Sequence, residues 1–175
     1  MSPFFAMSRH RRSPNSTLSL PPKIVPAVVA LWLLIAAWDV ALGDPKPAAS
    51  IPAADLIRPA ELAAALRSPA EPKPLILQVG FRTLYDQSHI PGAEYVGASS
   101  DSDGLRRLRE RVARLPKDTA IVIYCGCCPW EHCPNIAAAD DALHALGFSR
   151  VKALYIAANF GSDWVEKGYP ATRGP

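Results

Sequence analysis

The sequence predicts a three-layer α/β domain with a mostly parallel central sheet flanked by helices. Short apolar runs, Leu75 to Val79, Ala120 to Tyr124 and Val151 to Tyr155, have the composition of strands buried on both faces. Stretches with helical spacing of apolar residues separate them, and strand alternating with helix is the pattern of a parallel sheet. At 175 residues the chain has room for one domain with a sizeable core and an additional segment.

The additional segment is N-terminal. Residues 1 to 20 are rich in Ser, Pro and Arg without a hydrophobic period, and Arg9, Arg11, Arg12 and Lys23 precede the apolar run Ile24 to Trp38. A basic region, an apolar region and the small residues of Ala41-Leu42-Gly43 follow the order of a secretory signal, with cleavage expected before Asp44. The alternative is an uncleaved anchor that tethers the protein to a membrane through residues 24–41. The organisation expected is therefore a signal peptide or anchor over 1–43, a Pro/Ala-rich linker over 44–51 and the folded domain over 52–172, in a periplasmic or secreted location.

Within the domain, Pro59 to Leu66 begins with a proline suited to a first helical turn and continues with good helix formers. Leu75 to Val79 is the first core strand. A helical segment around Leu84 follows, then a short strand from Glu94 to Gly97 and an amphipathic helix from Gly104 to Leu115. In that helix Leu105, Leu108, Val112 and Leu115 form the apolar face, which puts Arg106, Arg107, Arg109, Arg111 and Arg114 on the solvated one. Ala120 to Tyr124 is the second core strand. Asn135 to Leu146 is a helix with Ile136, Ala139, Leu143 and Leu146 on one face; Val151 to Tyr155 is the last core strand, and Ser162 to Lys167 closes the domain as a helix.

Charge excludes one class of partner. The chain has 19 basic and 16 acidic residues; residues 1–43 hold four of the basic ones and one acidic, so the remainder is balanced at 15 of each. A neutral domain has no electrostatic footprint for nucleic acid.

The chemistry is concentrated after the second core strand, in Cys125-Gly126-Cys127-Cys128-Pro129-Trp130-Glu131-His132-Cys133-Pro134-Asn135, which contains all four cysteines. A strand that delivers a cysteine to its C-terminal tip, ahead of a loop and a helix start, exposes that sulfur to backbone N–H groups and to the helix dipole. Such a field favours the thiolate, the nucleophilic form. Cys125 is the expected nucleophile, and the N–H groups from Gly126 to His132 (Gly126, Cys127, Cys128, Pro129, Trp130, Glu131, His132) are expected to cradle an anionic sulfur. Cys127 and Cys128 are adjacent, so a bond between them is strained. The disulfide pairs left are Cys125 with Cys128, or Cys133 with one of the others, and Cys128 and Cys133 are the candidate resolving thiols. Trp130 is expected to cover the apolar underside of the loop, Glu131 to be solvated, and His89 to hold a Pro-Gly turn.

Three segments of the chain resemble the rhodanese-like domain family. Leu75-Ile-Leu-Gln-Val-Gly with Tyr85-Asp-Gln-Ser-His89-Ile-Pro-Gly92-Ala93 is similar to the family's strand and its Gly-His-Ile-Pro-Gly-Ala turn. The strand ending in Cys125 is similar to the one that presents the family's catalytic cysteine. Leu154-Tyr-Ile-Ala-Ala-Asn-Phe160-Gly-Ser-Asp-Trp164-Val-Glu-Lys-Gly168-Tyr-Pro170 is similar to the closing helix with its Trp and Gly-x-Pro. Two departures accompany the likeness. The family's Asp-x-Arg at the end of the first core strand is replaced by Gln78 and Gly80, and the loop after Cys125 is longer than usual and lacks Lys and Arg.

The resemblance implies a sulfurtransferase in which Cys125 takes sulfane sulfur from a small donor and a thiol acceptor collects it, with no cofactor required. Two readings of other classes stand beside it. Cys125, Cys127, Cys128, His132 and Cys133 have the chemistry of soft ligands for copper or zinc. Cys125-Gly-Cys-Cys128 is also a CxxC pair suited to thiol–disulfide exchange.

Overall fold

The computed structural model describes residues 47–69 and 72–174. The expected signal peptide or anchor over 1–43 lies outside the described residues. Among the described residues no helix is long and apolar enough to cross a membrane.

Among the described residues five strands form one parallel sheet: β1 (Leu56–Ile57), β2 (Leu75–Gln78), β3 (Glu94–Tyr95), β4 (Ile121–Tyr124) and β5 (Val151–Leu154). Their order is β1-β5-β4-β2-β3, so β4 is central, with Gln78 of β2 opposite Tyr124 and Ile123 opposite Ala153 of β5. Four helices cover the sheet: α1 (Pro59–Arg67), α2 (Arg82–Gln87), α3 (Ser102–Val112) and α4 (Pro134–Ala145). The closing helix expected from Ser162 to Lys167 is present as a short π-helical turn over Gly161–Val165.

Alternation along the strands sorts the core into two layers. Leu77, Val79, Ile121, Ile123, Val151 and Ala153 pack under α3 and α4, with Leu108, Val112, Ile136, Ala139 and Leu143. Ile76, Val122, Tyr124 and Leu154 point the other way, to Leu62 and Ala63 of α1, Tyr85 of α2 and Trp164 of the π-type turn. Helices on both faces of a parallel sheet make the three-layer architecture expected. The turn after α2 is held as its composition suggests: His89 is buried, stacks on the Tyr85 ring at 3.9 Å between centroids, and places Nδ1 2.8 Å from the Tyr85 carbonyl.

The boundaries differ from expectation where the sequence has no period to read. The two-residue β1 is too short for an alternation pattern. Part of the stretch read as linker belongs to the core: Ala48 and Ile51 are buried in the α4-side layer, and the 3-10 turn Ala48–Ser50 packs against α4 and against the turn Trp130–His132. The arginines of α3 are on its outer side, where Arg106 pairs with Glu110 at 3.0 Å, while Arg111 reaches across to Glu94 of β3 at 2.8 Å.

α3 also contains a glycine set by packing rather than by a turn. A Cβ on Gly104 would stand 1.9 Å from the Ala98 carbonyl oxygen. Glycine to alanine in a helix interior ordinarily stabilises by about 1 kcal/mol. Here Gly104→Ala is expected to destabilise the domain by about 1–3 kcal/mol, because backbone must move to admit one methyl group. A denaturant midpoint at or above that of the wild type contradicts this packing.

Candidate active site

The alternation that sends Ile121 and Ile123 to the α4 side sends Cys125 there too, one step past the end of β4. From β2 the chain moves outward to β3, whereas from β4 it moves the opposite way to β5, so the topology reverses between β2 and β4. Ligands of open parallel sheets bind at such a reversal, beyond the C-terminal strand ends. Both sides of that crevice are tight. A Cβ on Gly80, just after β2, would stand 2.6 Å from Cys125 Sγ. Gly126 has φ +74°, and a Cβ there would meet Phe160 Cβ at 2.6 Å, so only glycine allows the loop to turn beneath Phe160. The Gly126 carbonyl accepts the Phe160 N–H at 3.1 Å, and the Ala157 carbonyl accepts the Trp130 N–H at 3.0 Å. The long loop is thus pinned to the segment after β5. Its 3-10 turn, Trp130–His132, buries the Trp130 ring against Tyr155 at 5.2 Å.

The four cysteines are free thiols, and the loop gathers their sulfurs. Cys125 Sγ, 2% exposed as a residue, is 3.0 Å from Cys127 Sγ, and Cys127 Sγ is 3.4 Å from Cys128 Sγ. The sulfurs of Cys125, Cys127 and Cys133 all lie within 4.8 Å of one another. Cys133 is the N-cap of α4, with Pro134 in the first turn. Asn135, 1% exposed, faces the group from the next position. Its Oδ1 accepts the Ser100 N–H at 2.9 Å, which leaves Nδ2 to point at Cys125 Sγ (3.5 Å) and Cys127 Sγ (3.7 Å).

Of the four thiols Cys133 alone has its pKa lowered. Hydrogen bonds from Cys125 and then Cys127 lower the Cys133 pKa to about 4, and the Ile136 N–H helps from the first turn of α4 without closing a capping hydrogen bond. Cys125 is driven strongly up by its hydrogen bonds to Cys127 and Cys133 and by burial. For Cys127 the hydrogen bond from Cys125 pulls down, but the one to Cys133 together with burial prevails and the thiol is raised; burial raises Cys128. Three sulfurs this close do not all ionise together, and a negative charge is most favoured on Cys133. The Cys133 pKa falls on folding. Its contribution to stability is complete only above the unfolded thiol value of about 8.5 and vanishes as pH falls through about 4. Ultraviolet absorbance of the thiolate is expected to report one per chain at neutral pH, lost on acidification through about 4 and absent in Cys133→Ser. An unchanged neutral-pH signal in Cys133→Ser contradicts the assignment.

Several expectations are revised. The helix N-terminus acts first on Cys133 rather than on Cys125. The thiol that Cys125 hydrogen-bonds is Cys127, not Cys128, whose Sγ turns 3.7 Å from the His132 carbonyl. The expected backbone cradle is not assembled by Pro129, Trp130 and His132: proline has no N–H, and the N–H groups of Trp130 and His132 are taken by the carbonyls of Ala157 and Pro129. Glu131 and His132 are exposed, and among the described residues the close group of potential metal ligands is Cys125, Cys127 and Cys133, without Cys128 or His132. Asn135 and Gly80 read in the sequence only as a helix start and a strand end. The signal for Asn135 is an amide one residue past Cys-Pro in a first turn, but its partner, Ser100, is 35 positions away.

The family model of the rhodanese-like domain matches residues 59–155, more than half of the chain. The chain belongs to the rhodanese-like domain family. No curated protein matches it. Among solved structures it is similar to the BH2092 protein from Bacillus halodurans, at 18% identity and a TM-score of 0.53, over 85% of this chain and 86% of that one. It is also similar to the Alr3790 protein from Anabaena sp., at 22% identity and a TM-score of 0.52, over 67% of this chain and 92% of that one. The likenesses extend to the fold. In this rhodanese-like domain Gln78 holds the turn after β2 by accepting the Gly80 N–H on Oε1 at 3.2 Å, where the family pattern has an ion pair. With glycine at position 80 no side chain stands against the Cys125 sulfur.

Proposed function

We propose that this rhodanese-like protein is an exported sulfurtransferase that takes sulfane sulfur onto Cys125 as a persulfide. The observation that carries this reading is the placement of Cys125 at the tip of the central strand, beside Cys133 at the N-cap of α4 and the Asn135 amide. A nucleophile next to a base is the arrangement of activated covalent catalysis. As Cys125 Sγ attacks the donor's sulfane sulfur, the bond from that sulfur to the rest of the donor breaks and its electron pair leaves with the donor anion (sulfite from thiosulfate, a shortened chain from polysulfide); the Cys125 proton passes by way of Cys133 to that departing anion, and the Asn135 N–H groups stabilise the anionic sulfur left on the protein. The substrates are a small sulfur donor and a thiol acceptor, no cofactor is required, and residues 1–43 export or tether the domain.

The three-sulfur group favours a second reading, a site for copper or zinc on Cys125, Cys127 and Cys133. One anaerobic preparation separates the two. Treated with thiosulfate or inorganic polysulfide, then measured for intact mass and metal, the protein is expected to gain one sulfur atom that cyanide removes. Tightly held copper or zinc with no sulfur uptake rejects the sulfurtransferase reading. Localisation is checked by fractionation: full-length protein in the soluble cytoplasm contradicts export.

A further inference from the structure

Cys125 is buried while the thiol it hydrogen-bonds, Cys127, is not, which raises the question of how a sulfur held there leaves. Cys127 Sγ lies 3.0 Å from Cys125 Sγ and is only half-buried; Cys128 Sγ, 3.4 Å further on, is also partly exposed. The sulfurs therefore run from the core toward the surface. The Asn135 amide is shared between the first two, at 3.5 and 3.7 Å, and the Ser100 N–H fixes its orientation. A single donor group thus faces both the sulfur that would lose a persulfide and the one that would receive it.

We infer that Cys127 is a second catalytic cysteine, which receives sulfane sulfur from Cys125 and presents it to a thiol acceptor at the surface. The inference rests on the sulfurtransferase reading. In the transfer, Cys127 Sγ attacks the outer sulfur of the Cys125 persulfide. A bond forms between Cys127 Sγ and that sulfur, the bond from it to Cys125 Sγ breaks, and the electron pair returns to Cys125. The Cys127 proton passes to Cys125, so a thiol and a persulfide exchange places and no oxidant or reductant is needed. The acceptor thiolate then repeats the attack on the Cys127 persulfide. That step returns Cys127 as a thiol, which takes up the persulfide's proton, and carries the sulfur away as the acceptor's own persulfide anion.

The experiment is a loading and discharge assay on the full chain. Protein is loaded anaerobically with inorganic polysulfide and freed of excess. It is then discharged with reduced glutathione, and persulfides are trapped by alkylation and located by peptide mass spectrometry. Wild type is expected to show sulfur on Cys125 at the shortest times and on both Cys125 and Cys127 later. Cys127→Ser is expected to load normally, to hold the sulfur on Cys125 alone and to discharge at least tenfold more slowly. Normal discharge from a loaded Cys127→Ser protein overturns the relay, as does loading of Cys127 at the wild-type rate in Cys125→Ser. Failure of the wild type to load at all overturns the sulfurtransferase reading itself, and the relay with it. Should Cys127→Ser be poorly folded, Cys127→Ala is assayed in the same way, and near-normal discharge from it likewise overturns the relay.

Discussion

Cys125→Ser is expected to abolish uptake of cyanide-labile sulfur, with a loss on the order of 10³-fold or more, as for removal of other enzyme nucleophiles. Serine changes little in volume, and its hydroxyl has the Asn135 amide within reach of the position where Sγ now stands. The fold is therefore expected to survive, with a stability change of about 1–3 kcal/mol for the altered buried hydrogen bonding. Chemistry is what changes. A hydroxyl beside Cys133 does not ionise at neutral pH and is too hard a nucleophile to take up sulfane sulfur. Thiocyanate released on adding cyanide to the loaded protein measures the effect, and a Cys125→Ser protein that loads at the wild-type rate contradicts it. A metal site gives a different ranking, with Cys125, Cys127 and Cys133 losses all weakening binding severely.

Asn135→Asp is the second large effect. The new carboxylate has the same shape, and its oxygen accepts the Ser100 N–H as the amide oxygen does. A negative charge in the first turn of α4 is also favoured by the helix dipole, so the helix is retained. The side that faces the sulfurs changes sign. Two N–H donors to Cys125 and Cys127 become an acceptor carrying a charge, which repels the anion that attack creates. Loss of one donor to a developing anion costs about 10²–10³ in rate, and a loss in that range is expected for sulfur uptake. The same charge is expected to raise the pH at which the cluster's thiolate forms. A variant with the wild-type rate and the wild-type thiolate titration removes Asn135 from the site.

Much of the architecture is legible in the sequence because it depends on local pattern. The runs at Leu75, Ile121 and Val151 are apolar at consecutive positions, as strands covered on both faces must be, and Leu105, Leu108 and Val112 mark one face of α3. Cys125 is legible for the same reason, since a cysteine immediately after such a strand is carried to its tip. The relations inside the loop are not. Spacing makes Cys125-Gly-Cys-Cys128 a CxxC pair, yet the positive φ of Gly126 folds Cys127 back onto Cys125 and leaves Cys128 outside. The helix field can be expected to act on a nearby sulfur, but the choice of Cys133 follows from which thiols donate to which, a matter of ångströms rather than of order along the chain. Ala48 and Ile51 illustrate the limit from the other side. Their Pro/Ala-rich surroundings have the composition of a linker, and only contact with α4 and the Trp130 turn draws them into the core.

On the sulfurtransferase reading Cys125 is the first residue to accept sulfur, and the most direct measurement locates that sulfur during the first turnover. The protein is mixed anaerobically with a sulfane sulfur donor, quenched by alkylation after successive short intervals, and digested for peptide mass spectrometry. The earliest persulfide is expected on Cys125, with sulfur on Cys127 appearing only after it. A first persulfide on Cys133 or Cys128, with Cys125 unmodified throughout, would contradict the claim.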